Sequence, residues 1–241
     1  MTWIGAAAPY GQRRLAGLDR HLTEAAGDLF AHDDRLRGIA VDVRFDGGVA
    51  HLTGDVSDNK DLLLVRRLIG RLDGVLAVWS RVRVGGRDPV VLDIGCGGVK
   101  QYPGNVGVDL LPASGVDVLA DLAYGLPFAD RSVDVIFAVH VLEHLIDFLA
   151  LIDECHRVLR PDGVLHVLSP WWRHVNAVAD PTHVRLLDLQ TIKGICRRPG
   201  SPLRWYPLHA GCDGASVFAD LTPLGEHDHG PDDAHLARFF D

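Results

Sequence analysis

The spacing of apolar residues changes repeatedly within the first 86 residues. Apolar side chains recur at helical spacing, then alternate with polar ones as in a half-buried strand, and Asp46-Gly47-Gly48 supplies a hairpin turn. The predicted elements are a helix over 18–30, strands over 39–45 and 49–56, a helix capped by Ser57 or Asp58 that ends at Gly74, and a strand over 75–84. This pattern predicts a small α+β unit with the element order αββαβ.

The remaining residues show a different pattern. Short, mostly apolar runs, at 90–94, 135–139 and 165–169, are typical of strands that are buried on both faces of a parallel sheet. Gly95 follows the first run and His140 follows the second, so residues suited to ligand binding stand at the carboxyl ends of these predicted strands. The pattern predicts an α/β domain over residues 87–241.

The loop after the first run carries cofactor chemistry. Gly95 and Gly97 have no side chain to hold a ligand away from the backbone, so a nucleoside can approach closely. Asp93 at the strand tip would repel a pyrophosphate, and Lys100 stands where a dinucleotide fingerprint has its third glycine. An acidic pocket suits the ammonium and sulfonium groups of S-adenosylmethionine, which carries no phosphate. The loop therefore predicts S-adenosylmethionine rather than a dinucleotide.

Several ordered motifs make residues 88–185 resemble class I S-adenosylmethionine-dependent methyltransferases, in particular the methyltransferase type 11 group. The matching segments are Val91–Gly97, Val106–Asp109, Val118–Leu122, His140–His144, Arg157–Gly163 and, in one branch, Cys96–Lys100 with Asp180–His183. The resemblance implies a Rossmann-like sheet that an antiparallel strand pair closes, here predicted over 203–209 and 215–221.

The same resemblance implies which residues hold the cofactor. They are Asp93, Gly95, Cys96, Gly97, Asp109, Leu110, Asp121 and Leu122. In that family the acid at the position of Asp109 accepts hydrogen bonds from the ribose hydroxyls, and the acid at the position of Asp121 accepts one from the adenine amino group.

Two histidines are candidate catalytic residues. His140 follows the apolar run 135–139 and is predicted either to act as a general base near the transferred methyl group or to cap the next helix. His183 is a second candidate, as a base or a substrate ligand. Glu143 and His144 are assigned to the helix after His140, with Glu143 reaching the pocket and His144 packing or capping.

The first 86 residues resemble the BON domain, a small module of bacterial envelope and stress proteins. Asp46–Val49, Leu52–Val56 and Gly74–Val75 carry this resemblance. It implies a domain that binds phospholipid surfaces or small ligands and has no catalytic residues. We predict that residues 1–86 dock on a membrane or protein, present substrate or form a homodimer, and the alternative is that they only rigidify the enzyme.

The charge and the cysteine content limit which partners and cofactors we expect for this protein. Residues 87–241 contain 12 lysines and arginines against 21 acidic residues, so their electric field disfavours a nucleic-acid substrate. The 4 cysteines form no Cys-x-x-Cys pair, so neither a disulfide framework nor a metal site is predicted. The opening residues 1–8 lack the features of an export signal, and no apolar stretch reaches the roughly 18 residues of a membrane span, which predicts a cytoplasmic protein.

The sequence thus predicts two domains, 1–86 and 87–241, and methyl transfer from S-adenosylmethionine to a small-molecule or lipid-linked acceptor. Two alternatives stay open. One is a non-catalytic sensor or adaptor that binds S-adenosylmethionine, and the other is a protein or RNA methyltransferase. The second is weaker, because no Asn-Pro-Pro-Tyr motif and no basic surface interleaved with aromatic residues is found.

Overall fold

The computed structural model describes residues 9–240 and divides the chain into two compact units, Met1–Pro89 and Val90–Asp241. The boundary lies three residues beyond the predicted one. Residues 1–8, on which the prediction of no export signal depends, are outside the described residues. Among the helices within 9–240, none has both the length and the apolar composition that crossing a membrane requires.

The first unit is a four-stranded sheet with two helices. Its elements are α1 (Pro9–His32), β1 (Ala40–Asp46), β2 (Val49–Val56), α2 (Asn59–Ile69), β3 (Ala77–Ser80) and β4 (Arg83–Val84). β1 and β2 form the predicted hairpin, while β3 and β4 both pair in parallel with β2. The order of elements is the predicted one, except that the last strand is interrupted between β3 and β4.

Local chemistry explains the element ends in this unit. Gly47 and Gly48 have φ values of 59° and 84°, and the Asp19 carboxylate of α1 accepts both of their N–H groups at 2.9 Å. Asp58 rather than Ser57 caps α2, since its side chain accepts from two backbone N–H groups at the helix start. The prediction that α2 continues to Gly74 is wrong, because the helix ends at Ile69, with Gly70 as its C-cap.

The second unit is built on a seven-stranded mixed sheet. Its elements are β5 (Val91–Ile94), β6 (Val106–Asp109), β7 (Val118–Leu119), β8 (Val133–Val139), α3 (Phe148–Val158), β9 (Leu159–Pro170), α4 (Asn176–Ala179), α5 (Leu189–Cys196), β10 (Arg204–Cys212), β11 (Ser216–Leu224) and α6 (Asp233–Phe240). The strand order is β10-β11-β9-β8-β5-β6-β7. β5 to β9 are parallel, and β10 and β11 form the antiparallel pair at one side. The Rossmann-like α/β class and its closing strand pair are confirmed.

Two local expectations for this unit differ from the structure. The chain after β8 forms a 3₁₀ turn over Leu142–His144, and α3 begins only at Phe148. His140 has a φ of 56°, a left-handed conformation that an α-helix does not contain, so no helix starts there. The turn that the methyltransferase resemblance implies within 157–163 is instead an irregularity within β9, where the pairing with β8 shifts register.

Candidate functional site

Asp93 organises the irregular segment that follows β5. Its side chain is 1% exposed, and Oδ2 accepts hydrogen bonds from the backbone N–H of Gln101 and from Asn105 Nδ2. Burial raises the pKa of Asp93 to about 6 against the lowering effect of these two bonds. The carboxyl group therefore connects the 95–105 segment to the end of β5.

The loop after β5 that contains Gly95 and Gly97, which we call the glycine loop, bends over the end of the neighbouring strand β6. Gly95 and Gly97 have φ values of 63° and 54°, which glycine adopts without strain. The Gly97 N–H donates to Asp109 Oδ2 at 2.8 Å, and the Leu111 N–H donates to Asp109 Oδ1 at 3.1 Å. A Cβ added to Gly97 would meet no atom within 4 Å, so open space adjoins the loop beside an acidic side chain.

The remaining predicted cofactor residues lie at the ends of the next strands. Leu110 follows β6 and is 59% exposed. Asp121 follows β7, with an exposed side chain whose Oδ1 accepts from Ala123 N–H at 3.0 Å, while Leu122 is buried. Cys96 is half-buried and its Sγ lies 3.5 Å from Gly115 O. The predicted cofactor residues thus stand after β5, β6 and β7, three adjacent strands.

A second contact that holds the glycine loop in place was not predicted from the sequence. Lys100 Nζ lies 2.9 Å from Asp117 Oδ2, and the same carboxylate oxygen accepts the Gly107 N–H at 2.8 Å. These bonds, the Lys100 pair first, lower the pKa of Asp117. Lys100, noted in the sequence because it replaces a glycine, therefore fastens the glycine loop to the segment before β7.

His140 and Glu143 form a pair at the end of β8. His140 Nδ1 lies 3.1 Å from Glu143 Oε1, and Ser169 Oγ donates to Glu143 Oε2 at 2.7 Å. Glu143 is buried, whereas the His140 side chain is 45% exposed. Burial alone would raise the pKa of Glu143, but the hydrogen bonds from His140, Ser169 and the backbone outweigh it and lower that pKa. A carboxylate accepts only, so Nδ1 carries the proton and Nε2 keeps a lone pair.

His140 stands beside the glycine loop. A Cβ added to Gly95 would lie 2.7 Å from Cγ2 of Val141, the residue after His140. The loop after β5 and the segment after β8 are therefore packed directly against each other. This contact brings the predicted cofactor loop and the predicted base to one place on the sheet edge.

His183 comes to the same region from a distant part of the chain. The Val184 and Arg185 N–H groups donate to the Glu143 carbonyl at 2.8 and 3.1 Å, which fixes this segment against the 3₁₀ turn. His144 and His183 meet edge to face, with ring centroids 4.7 Å apart. His144 itself is exposed, so its contact with His183 lies at the surface.

The segment after β9 forms a loop with joined ends. Trp171 and Leu187 form an isolated parallel bridge, and the Trp172 N–H donates to Leu187 O at 3.0 Å. Within the loop the Arg173 guanidinium lies 4.7 Å from the centre of the Trp172 ring. Several of its large apolar side chains are exposed, namely Trp172, Val175, Val178, Val184 and Leu186. We call residues 171–187 the acceptor loop.

The predicted residues thus form two groups. The donor side consists of the glycine loop, Asp93, Asp109 and Asp121, and the acceptor side consists of His140, Glu143 and the acceptor loop. Ser169, which holds Glu143, was missed, because nothing in the sequence distinguishes it from any serine at a strand end. The donor side fits S-adenosylmethionine, since it offers carboxylates, open space at Gly97 and exposed apolar Leu110, with no cation dedicated to a phosphate.

Comparisons with known proteins agree with this fit. Residues 92–167 match the family described as methyltransferase domain. The chain is 38% identical over 113 residues to a protein of Mycolicibacterium smegmatis described as a probable S-adenosylmethionine-dependent methyltransferase, covering 39% of this chain and 42% of that protein. It is 41% identical over 58 residues to malonyl-(acyl-carrier protein) O-methyltransferase 1 of Coxiella burnetii, covering 24% of this chain and 21% of that one.

Among solved structures, an S-adenosylmethionine-dependent methyltransferase from Archaeoglobus fulgidus is 17% identical, with a TM-score of 0.40, covering 56% of this chain and 86% of that one. The chain spans less than half the length of the two curated relatives described above. Residues 92–167 of the second unit are thus similar to a methyltransferase domain, and the curated relative from Mycolicibacterium smegmatis supports S-adenosylmethionine as the cofactor.

Proposed function

We propose that this protein transfers the methyl group of S-adenosylmethionine to a small-molecule or lipid-linked acceptor, with His140 as the general base. The observation that carries the proposal is the contact between Gly95 and Val141, which sets His140 next to the donor loop. Methyl transfer is an in-line displacement, so the acceptor must reach the donor from a fixed direction. The residue beside that path is suited to remove the acceptor's proton.

The His140–Glu143 pair has the organisation of a base with its orienting carboxylate. Glu143 holds Nδ1–H, which directs the free Nε2 lone pair away from it and stabilises the imidazolium that forms when Nε2 takes a proton. Ser169 holds the other carboxylate oxygen, so Glu143 cannot rotate freely. The cofactor supplies an already activated methyl group on its sulfonium. His183 is the weaker candidate for the base, because its side chain is only 8% exposed.

On the donor side, we assign the ribose hydroxyls to Asp109 and the adenine to Asp121, Leu110 and Leu122. Gly95, Cys96 and Gly97 line the methionine end of the cofactor. Asp93 holds the loop in position through its hydrogen bonds with Gln101 and Asn105. The support for these roles is positional. All these residues lie at or just after the ends of adjacent parallel strands, at the edge where such sheets bind ligands.

The acceptor class is inferred from charge and from the acceptor loop. Residues 87–241 carry 12 basic and 21 acidic residues, so phosphate-rich polymers are repelled at long range. The exposed apolar side chains of the acceptor loop favour an acceptor with an apolar portion. A small molecule or a lipid-linked group meets both conditions better than RNA does.

For the first unit we propose a BON-like role in docking, substrate presentation or dimerisation. Its elements follow the order αββαβ, and it has its own buried core, which includes Leu22, Leu52, Val65 and Ile69. A unit with its own core folds around its own contacts. We expect a fragment of residues 87–241 to fold and bind the cofactor while losing efficiency toward the natural acceptor or losing an oligomeric state. Loss of cofactor binding would instead mean that the two units share a core.

The function is tested with methyl-labelled S-adenosylmethionine and a cell extract. After incubation with the protein, the extract is divided into lipids, small polar molecules, protein and nucleic acid. We expect label in the lipid or small-molecule fraction with the wild-type protein, and little label with His140→Ala although that variant binds the cofactor. Label in protein or RNA contradicts the proposed acceptor class, and binding without any transfer indicates a sensor.

A further inference from the structure

We propose that Glu143, His144 and His183 form a binding site for a divalent transition-metal ion of the Zn²⁺ type. Each of the three offers one ligand atom, and these atoms lie within 4.8 Å of one another. Within residues 9–240, this is the one group of three histidine, cysteine or acidic residues with that geometry. The site goes beyond the proposed methyl transfer and does not depend on it.

The hydrogen bonds around His183 prepare that ring for a metal. His183 Nδ1 lies 3.2 Å from the carbonyl oxygen of Ala177. A carbonyl can only accept, so Nδ1 carries the proton and the lone pair of the neutral ring is on Nε2. Metal-binding histidines typically donate their other N–H in this way to a carbonyl or carboxylate, which fixes the tautomer and the ring orientation.

His144 is prepared in the same way by a two-step chain. The Thr182 hydroxyl donates to Asp180 Oδ1 at 2.6 Å, so its oxygen accepts from His144 Nδ1 at 3.0 Å. The proton on Nδ1 again leaves the lone pair on Nε2. Asp180 therefore acts on His144 indirectly, through the Thr182 hydroxyl. A carboxylate in this position increases the basicity of the metal-binding histidine. Two histidines from separate segments with the same tautomer are more than a packing arrangement requires.

Glu143 adds a negatively charged ligand. Its carboxylate is held by Ser169 and His140, and oxygen lone pairs beyond those two bonds are available for a cation. Asp180 adds a second negative charge, with Oδ2 4.0 Å from His183 Nε2. Two carboxylates next to two neutral imidazoles give the site a net attraction for a divalent cation.

The ligand set selects the kind of metal. Two imidazoles with one carboxylate are the ligands of catalytic zinc sites and of several iron sites, whereas Mg²⁺ and Ca²⁺ prefer oxygen ligands alone. Bonds of about 2.0–2.1 Å to Zn²⁺ place tetrahedral ligands roughly 3.4 Å apart, so ligand atoms that are 4.8 Å apart must approach each other by about 1.4 Å. The exposed ring of His144 can make that movement. Three protein ligands leave a position for water or an oxygen of a bound molecule.

The site is tested on the full chain without a histidine tag, after treatment with a chelator. Calorimetry with Zn²⁺ should show one site per chain, and Co²⁺ should give the visible absorption of a nitrogen- and oxygen-ligated ion. Mg²⁺ should not compete. His144→Ala removes an exposed ligand and should weaken Zn²⁺ binding more than Thr182→Val, for which loss of the supporting bond predicts about 10–100-fold.

The matched control is His227→Ala, which removes an exposed histidine outside the cluster and should leave the Zn²⁺ affinity unchanged. Circular dichroism establishes that each variant is folded, and Thr182→Val keeps the shape of the side chain if His144→Ala or His183→Ala does not fold. Unchanged Zn²⁺ affinity in Thr182→Val and His144→Ala, or equal weakening in His227→Ala, overturns the proposal. So does the absence of any one-equivalent binding by the wild-type chain.

Discussion

The donor side and the acceptor side of the second unit are built in different ways. The hydrogen bonds of the donor side connect residues within a short stretch, such as Gly97 with Asp109 and Asp93 with Gln101. The acceptor side joins the end of β8 to a loop about 40 residues later, through bonds to the Glu143 carbonyl. The donor side therefore depends on contacts between residues that are close in the sequence, whereas the acceptor side depends on contacts between distant segments.

The largest expected effect tests whether the two sides are separate in function. His140→Ala should lower kcat by about 10²–10⁴-fold, the usual contribution of a general base, while the dissociation constant of S-adenosylmethionine is almost unchanged. Steady-state kinetics at saturating acceptor and calorimetry measure the two quantities. Weaker cofactor binding in this variant would mean that the acceptor side also holds the donor, and full kcat would mean that His140 is structural.

Asp93 provides the next test, through stability on the donor side. Its pKa is raised from 3.8 to about 6 in the folded protein, so the folded state holds this proton more tightly than the unfolded chain does. The resulting stabilisation is complete below about pH 4 and is lost as the pH rises through about 6, up to roughly 3 kcal/mol.

Asp93→Asn lacks this titration and keeps an acceptor for the Gln101 N–H. Denaturant unfolding from pH 4 to 7 should therefore show the variant gaining stability relative to the wild type as the pH rises. Taking the difference between the two proteins removes the effects of the other carboxyl groups. A constant difference across this range would show that Asp93 is not the buried acid described here.

Asp109 tests the donor side by affinity. Asp109→Ala should weaken S-adenosylmethionine binding by about 1.5–3 kcal/mol, roughly 10–150-fold. The reason is that the two ribose hydroxyls lose the charged group that accepts their hydrogen bonds. The matched control is Asp130→Ala, which removes a carboxylate that is paired with Arg157 at 2.7 Å before β8. Equal losses in both variants would indicate a general charge effect rather than ribose binding.

The smallest effect is expected at Lys100. Lys100→Met removes the ion pair with Asp117, whose side chain is 51% exposed, so the loss of stability should be small because solvent screens this pair. Asp117 still accepts the Gly107 N–H, and cofactor affinity should hardly change. A large loss of affinity, measured by the same calorimetry, would show that the glycine loop depends on this single bond.

The same contrast explains what could be predicted from the sequence. Apolar runs such as 90–94 and 135–139 predicted β5 and β8, because a buried strand requires apolar side chains on both faces. The hydrogen bonds from Gln101 and Asn105 to the buried carboxyl of Asp93 could not be predicted, since they form only when the segment after β5 folds back onto the strand. The irregularity in β9 likewise depends on pairing with β8.

The candidate site likewise has features that the local sequence predicts and features that depend on distant contacts. The glycines and the acids after β5 to β7 are adjacent to strands in the sequence, and parallel strands bring their ends together, so their common location could be inferred. His140 was placed by the same rule. The partnership of Glu143 with Ser169, and the approach of His183 to His144, depend on how the loop after β9 folds, and no local pattern encodes those contacts.

The bridge between Trp171 and Leu187 has a consequence for how new enzymes of this kind arise. Because the two ends of the acceptor loop are joined, evolution or a protein engineer can lengthen, shorten or exchange the residues between them without moving β9 or α5. Such a loop can be replaced while the donor side stays the same. If the proposed role of this loop is right, we expect that grafting it between homologous scaffolds will change acceptor preference.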